Sequence, residues 1–144
     1  MTNFENLVEQ KHISFLFNPE NKHLSDKILA SNRNRNPENR GYIWDNINWV
    51  LKNPELYKLY VINNTSGVVL ENVDNNEYYA LIIFGNIEEI VSIISFLIDK
   101  GYKIHILNRL ALQKYFEPLG FVSKDSIKLS EGTFVNTITH DKKE

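Results

Sequence analysis

The chain has 144 residues, of which 42% are hydrophobic and 24% charged, a composition typical of a folded globular protein with a core. Its formal charge of −2 gives no basis for a nucleic-acid partner, and the absence of cysteine excludes disulfides and thiolate metal sites. The polar first residues and the short apolar run at 78–84 predict a cytoplasmic protein with no membrane partner.

The first part of the chain predicts one strand and two helices. Alternation and β-forming residues over 12–17 predict a first strand. Apolar residues at helical spacing predict helices over 24–30 and 42–53. The polar stretch between them, residues 31–41, contains a proline and a glycine and is typical of a loop.

The middle of the chain predicts three strands. Short β-rich runs at 59–62 and 68–73 flank Asn-Asn-Thr-Ser-Gly, a hairpin signal in which Gly67 can take a positive φ. The run Tyr-Tyr-Ala-Leu-Ile-Ile-Phe at 78–84 is apolar on both faces of a strand. It therefore predicts a central strand in a covered sheet.

The next two helices have clear ends. Apolar residues over 87–98 recur at helical spacing, and Gly101 stands where a helix-ending glycine is expected. A strand is predicted at 103–107, and good helix formers over 110–114 predict the last helix, within the stretch 108–121. Gly120 then allows a sharp turn into a new β-rich segment.

A final hairpin is predicted from residues 126–129 and 133–139, which gives the order β-α-α-β-β-β-α-β-α-β-β. No linker divides the chain, so we expect one domain at residues 1–139 and a frayed tail at 140–144. Helices that cover a mixed, mostly antiparallel sheet would bury the apolar faces. The predicted fold class is therefore α/β (α+β).

The histidines predict a structural role. His105 alternates with isoleucines in the middle of a predicted strand, which favours a hydrogen-bonded core histidine over a general base. The remaining histidines are scattered, with no spacing typical of a metal site, so no metal is expected.

Two short motifs mark the ends of the last predicted helix: Asn-Arg-Leu-Ala at 108–111 and Phe-Glu-Pro-Leu-Gly-Phe at 116–121. With the order of elements, they resemble the GNAT acyl-CoA N-acyltransferases, whose fourth helix commonly reads Asn-x-x-Ala followed by Tyr-x-x-x-Gly-Phe. The middle is one residue longer here. The resemblance implies a GNAT-like fold, acetyl-CoA as cofactor, and acyl transfer to a small amine or a protein amine between the fourth and fifth strands.

The resemblance also implies the site residues. The tyrosine that many GNAT enzymes use as general acid falls on Tyr115 when counted from Asn108, and on Phe116 when counted from Gly120, so both positions stay open. Glu71 precedes the central strand, where carboxylates often order the acceptor amine, although a solvated turn explains it equally well. The residues expected at the cofactor are Phe84, Gly85, Asn86, Ile87 and Asn108.

One stretch departs from the GNAT pattern. Those enzymes hold the coenzyme A pyrophosphate with an Arg/Gln-x-x-Gly-x-Gly/Ala loop before the third helix, and here that junction is roughly eight residues too short. Glu88 and Glu89 lie in the first turn of the helix, where they repel a phosphate. An N-acyltransferase and a non-catalytic GNAT-derived binding or regulatory module, with a protein partner or as a homodimer, both stay open. A chance resemblance in an unrelated α/β protein is a third possibility.

Overall fold

The structure is a computed structural model, and it describes four stretches of the chain: residues 7–23, 52–108, 110–129 and 134–140. The helix predicted over 24–30, the loop at 31–41 and nearly all of the helix predicted over 42–53 lie outside the described residues. Of the tail predicted at 140–144, only His140 is described.

The described residues form a seven-stranded sheet of order β1-β2-β3-β4-β5-β7-β6. The strands are β1 (Val8–Lys11), β2 (Tyr57–Ile62), β3 (Ser66–Asp74), β4 (Glu77–Phe84), β5 (Lys103–Leu107), β6 (Phe121–Lys128) and β7 (Phe134–His140). All neighbouring strands are antiparallel except β4 and β5. Two α-helices, α1 (Ile87–Asp99) and α2 (Leu110–Phe116), complete the described fold. The predicted class is confirmed: a mixed, mostly antiparallel sheet is flanked by helices.

Most predicted strands are confirmed, but the first is wrong. The strand lies at Val8–Lys11, and the predicted residues form a 3-10 helix at Ile13–Phe17. Local side chains explain the difference, since Nδ1 of His12 accepts from the Ser14 amide at 3.2 Å and competes with strand pairing. Ile13 and Leu16 are buried three residues apart, which is the repeat of a 3-10 helix.

The sheet buries a separate apolar cluster on each face. On the face that we call the α1 face, strand residues such as Val68 and Ile104 pack against one stripe of α1. The buried residues of that stripe are Ile90, Ile93, Ile94 and Leu97. The opposite face, the second face, carries Leu59, Val61 and Val69 and is covered in part by Ile13 and Leu16. Each such side chain contributes roughly 1.5 to 3 kcal/mol on burial, so both faces stabilise the sheet.

The glycines predicted at the helix ends are confirmed, and the one predicted in the hairpin turn is not. Gly101 (φ 96°) ends α1, and Gly120 (φ 91°) follows a short 3-10 helix after α2. In the β2–β3 hairpin the positive φ values belong to Asn63 and Asn64. Gly67 lies within β3, where a Cβ would stand 2.6 Å from the ring of Phe84. Its role is therefore close packing.

The last hairpin, α1 and β5 lie at or near their predicted positions. β6 begins at Phe121, five residues before its predicted start, and β7 runs from Phe134 to His140. The α1 and β5 boundaries agree with prediction to within one residue. Among the described residues, no helix has the length and apolar character needed to cross a bilayer.

Candidate functional site

The parallel pair β4–β5 separates after three residue pairs. Glu77 pairs with Lys103, Tyr78 with Ile104 and Tyr79 with His105, and in the described part of the chain the ladder ends there. β4 continues for five residues to Phe84, whereas β5 continues for two and pairs with β7 instead. We call the space between residues 80–84 of β4 and residues 106–107 of β5 the β4–β5 gap.

A β-bulge in β4 lies at the start of this gap. Leu70 of β3 pairs with Ala80, but the preceding Val69 pairs with Ile82, so Leu81 is an extra residue on β4. A bulge bends its strand and increases the local twist. The bulge thus accounts for the departure of β4 from β5 at this point.

A row of buried polar side chains crosses the second face at the last paired residues. The register places Tyr57 beside Glu71, Glu71 beside Tyr79, Tyr79 beside His105 and His105 beside Thr139. Each of these five residues is at most 6% exposed. We call them the polar row: Tyr57, Glu71, Tyr79, His105 and Thr139. It spans five strands, and it includes the predicted site residue Glu71.

Hydrogen bonds hold several side chains of the polar row in place. Tyr57 donates its hydroxyl to Oε1 of Glu71 at 3.2 Å, and Oγ1 of Thr139 donates to the Ile104 carbonyl at 2.7 Å. Nε2 of His105 lies 2.9 Å from Oε1 of Glu77, so His105 is hydrogen-bonded as its sequence position indicates. A carboxylate beside an imidazole orients the ring and can take part in proton transfer. Glu71 lies within β3, is 1% exposed and accepts the hydrogen bond from Tyr57, so it is a core residue and not part of a solvated turn.

The β4–α1 junction is closely packed against the β2–β3 hairpin. Gly85 has a φ of 101°, and a Cβ there would overlap Ser66 and stand 2.6 Å from the Thr65 carbonyl oxygen. The Asn86 amide donates to Oγ of Ser66 at 2.8 Å, and Ser66 in turn donates to Oε1 of Glu89 at 2.5 Å. Only glycine fits this backbone.

The same junction caps its own helix. Oδ1 of Asn86 accepts from the amides of Glu88 at 2.8 Å and Glu89 at 3.3 Å, which is the N-cap arrangement favoured by asparagine. The amides of Asn86 and Glu88 lie at the helix start, where GNAT enzymes hold a pyrophosphate, and here they are hydrogen-bonded within the chain. We call Ser66, Gly85, Asn86 and Glu89 the capped junction.

The two candidate positions on α2 lie in different environments. Phe116 is fully buried in the α1-face core, with its ring 5.4 Å from that of Phe121. Tyr115 is 40% exposed, and its ring lies 5.1 Å from Nζ of Lys114. Of the two positions left open by the sequence, only Tyr115 presents its side chain to solvent.

Phe84 and Asn108 lie at the ends of the two diverging strands. The buried Phe84 ring packs over Gly67 of β3, on the side of β4 away from β5. The Asn108 amide donates to the Asn136 carbonyl at 3.0 Å, and its side-chain oxygen accepts from Nε2 of Gln113. The cofactor role of these residues stays a prediction.

A second cluster lies on the α1 face near the first residues of β4. Nζ of Lys58 stands 5.3 Å from the ring of Tyr78 and 5.2 Å from that of Tyr102, whose hydroxyl it also contacts at 3.4 Å. Burial lowers the pKa of Lys58, but the hydrogen bond to Tyr102 and the charge interactions with both tyrosines outweigh it and raise the pKa overall. Burial also raises the pKa of Tyr60 above its ordinary value.

Sequence reasoning missed most of the polar row and one neighbouring residue, Thr137. The Thr137 side chain is fully buried on β7, beside Leu107, and Oγ1 has no hydrogen-bond partner in the described residues. A polar residue within an apolar strand is a signal that the sequence does contain. Which of these residues stand side by side depends on strand register, which the sequence does not give.

Comparison of the chain with protein-family models and with curated proteins finds no match. Within the described stretches, no group of three or more His, Asp or Glu residues could hold a metal ion. Inference about function therefore depends on the β4–β5 gap, the polar row and the capped junction.

Proposed function

We propose that this chain is a GNAT-derived binding or regulatory module that no longer binds coenzyme A and acts in the cytoplasm through a protein partner. The observation that carries the proposal is the capped junction, in which Asn86 and Ser66 occupy amides that a pyrophosphate would need. The partner is another protein chain or a second copy of this one.

The GNAT origin is supported by chain order and by the β4–β5 pair. From β2 to β7 the described elements follow the order expected from the resemblance, and the fourth and fifth strands are parallel and diverge. Gly120 adopts a left-handed conformation and Phe121 is buried behind it, as the Gly-Phe motif implies.

The charge at the junction argues against a bound pyrophosphate. Glu89 accepts from Ser66 and also from Oγ1 of Thr65 at 3.3 Å, which holds its carboxylate beside the helix start. Two like charges about 4 Å apart repel by roughly 4 kcal/mol at an effective dielectric constant of 20. A helix N-terminus offers an anion only about 0.3 to 2 kcal/mol. Repulsion by the Glu89 carboxylate therefore opposes the attraction of the helix N-terminus for an anion.

An N-acyltransferase is the second candidate, and the β4–β5 gap beside the polar row favours it. In that function the acyl thioester of acetyl-CoA would enter the gap and transfer its acyl group directly to an amine. Tyr115 would act as general acid toward the leaving thiolate, while Glu71 would order the small amine or protein amine. No metal takes part.

Isothermal titration with acetyl-CoA and with free coenzyme A separates the two functions. For the binding module we expect no heat of binding at millimolar ligand, both for the wild-type chain and for Glu88→Gln, whose carboxylate is exposed. Micromolar binding by the wild-type chain, with acetylation of an added amine detected by mass spectrometry, would overturn the proposal in favour of the enzyme.

A further inference from the structure

Lys58, Tyr78 and Tyr102 meet on the α1 face near the first residues of β4. The ring centroids of Tyr78 and Tyr102 are 4.9 Å apart, and the ring planes are inclined to each other by 56°. Nζ of Lys58 stands over both rings, at 5.3 Å from the Tyr78 centroid and 5.2 Å from the Tyr102 centroid. We call the surface formed by the two rings the tyrosine corner, and Lys58 occupies it.

The tyrosine corner differs from the other cation–π contacts in the described stretches. Lys11, Lys100 and Lys114 each stand over one ring. A cation within about 6 Å of a ring centroid is attracted by the negative face of the ring. Because Lys58 lies within this distance of two rings, the corner attracts a positive charge more strongly than a single ring does.

Tyrosines also supply the polar contacts of this cation. The Lys58 ammonium donates to the Tyr102 hydroxyl at 3.4 Å. Burial lowers the pKa of Lys58, but its contacts with Tyr102 and Tyr78 outweigh this effect and raise the pKa. The corner therefore stabilises a cation through aromatic rings and hydroxyls, which is the chemistry that proteins use to bind quaternary and methylated ammonium groups.

The distances in the corner fit an ammonium that carries methyl groups. A methyl carbon lies about 1.5 Å from its nitrogen and contacts ring carbons at about 3.5 to 4.0 Å. A nitrogen that meets a ring through a methyl group therefore stands about 5 to 5.5 Å from it. Nζ of Lys58 is at this distance from both centroids, so a methyl group fits between the nitrogen position and each ring.

The corner is also accessible from solvent. Lys58 and Tyr102 are partly exposed, whereas Tyr78 is buried. The ladder between β1 and β2 ends at Leu59, one residue after Lys58 in the chain. A lysine head group is strongly hydrated and is carried by a flexible stem, so Lys58 can move into solvent when another cation takes its place.

We propose that the tyrosine corner binds a methylated or quaternary ammonium group and that Lys58 fills the corner when this ligand is absent. The internal cation selects the ligand, because only a group that binds the rings better than a hydrated primary ammonium displaces it. The corner lies near the first residues of β4, and the capped junction follows the last. The inference thus goes beyond the proposed function and does not depend on it.

Tetramethylammonium chloride is the first probe, and the tyrosine ring signals of the full chain are followed by NMR at constant ionic strength. We expect a saturable shift of the Tyr78 and Tyr102 ring signals. Lys58→Met removes the internal cation and keeps an apolar stem, so it should bind roughly two- to fivefold more tightly, which corresponds to about 0.5 to 1 kcal/mol. No saturable shift in Lys58→Met, or binding no tighter than in the wild type, would overturn the inference.

tert-Butanol is the control ligand, because it resembles tetramethylammonium in shape and carries no charge. It should give no saturable shift of the tyrosine signals. Equal binding of the two probes would mean that the corner takes apolar groups irrespective of charge, and the ammonium site would be wrong.

Ring removal tests the position of the site. In the Lys58→Met background, Tyr102→Leu removes one wall and should abolish the saturable shift of Tyr78, whereas Tyr102→Phe keeps the ring and should retain binding. Phe134→Leu is the matched control, because it removes an exposed ring on β7 and should leave binding unchanged. Retained binding in Tyr102→Leu would place the cation elsewhere and contradict the assignment.

A peptide probe distinguishes a small free cation from a side chain of a partner. The peptide Gly-Ser-Lys-Ser-Gly with a trimethylated lysine is compared with the same peptide without methylation. If the methylated peptide binds as tetramethylammonium does, the corner accepts a partner's side chain; if tetramethylammonium alone binds, it accepts a small free cation. Both results support the ammonium site, and equal binding of the two peptides would argue against it.

Discussion

At its first residues β4 has a strand on each side, whereas beyond Tyr79 the only strand in the described stretches that pairs with it is β3. The first end also carries complete side-chain contacts, with Lys58 against two tyrosine rings and Glu77 bonded to His105. At the second end, the side chains and amides of the capped junction satisfy one another, but among the described residues no strand pairs with the β4 edge that faces β5.

This difference separates two uses of polar groups. Where hydrogen bonds close within the chain, as at Asn86 and Ser66, their net contribution is to stability. Where an edge of a buried strand has no partner, the same groups are available for recognition. The two ends of β4 therefore differ in how far the described residues satisfy their polar groups.

Gly85→Ala should have the largest effect on stability, since it disrupts the packing of the capped junction that follows β4. The new Cβ would require a left-handed φ and would overlap Ser66, so we expect a loss of about 3 kcal/mol or more. Gly120→Ala is the matched control, because Gly120 has a similar φ and open space around it. It should cost only about 1 kcal/mol. Urea unfolding measures both, and equal losses would show that packing against Ser66 is unimportant.

Alkaline pH should lower the stability of the fold through the tyrosines on the α1 face near the first residues of β4, which are Tyr60, Tyr78 and Tyr102. The pKa of Tyr60 is raised by burial, so above pH 10 the unfolded chain loses this proton while the folded chain keeps it. Stability should fall by about 1.4 kcal/mol per pH unit from this group. The raised pKa of Lys58 acts in the same direction. Urea unfolding from pH 9 to 11 should show a shallower decline in Tyr60→Phe, and an unchanged slope would contradict the assignment.

Asn86→Ala tests the helix cap. It removes the side-chain oxygen that accepts from the Glu88 and Glu89 amides, so we expect a loss of about 1 kcal/mol. Asn86→Asp keeps an acceptor and should retain most of the stability. Chemical denaturation of the wild type and the two variants measures these changes in stability. Full stability in the alanine variant would mean that water replaces the cap without cost.

Thr137→Val should have the smallest effect and the opposite sign. It keeps the shape of the side chain and removes a hydroxyl that has no partner in the described residues, so stability should rise by up to about 1 kcal/mol. Thr139→Val is the control, because that hydroxyl donates to the Ile104 carbonyl and its loss should destabilise the fold. Thermal unfolding compares them. A loss of stability in both variants would show that the Thr137 hydroxyl is also hydrogen-bonded.

The sequence predicts the elements that combine a strong pattern with clear ends. α1 has an apolar stripe, an Asn at one end and Gly101 at the other, and β4 is an apolar run of strand length. The first strand lies elsewhere than predicted because residues 12–17 fit both alternation and the i, i+3 repeat of a 3-10 helix. There, the hydrogen bond of His12 to Ser14 decided the outcome.

The candidate site is predicted less well, because it depends on contacts between distant residues. Gly85 and Asn86 can be selected from sequence, but Ser66 bonds to Asn86 from a hairpin 20 residues earlier. The polar row requires the register of five strands, and a one-residue bulge changes part of that register. Neither feature follows from local propensity.

The bulge at Leu81 makes the length of this segment matter more than its side chains. Between Glu71 and Gly67, β3 advances four residues, while between Tyr79 and Phe84 its partner advances five. The extra residue allows Tyr79 to pair with Glu71 in the polar row while Phe84 pairs with Gly67. In divergent relatives of this chain, residues 80–84 should therefore vary among aliphatic side chains but remain free of insertions and deletions, which would be confined to the turns at either end of the hairpins.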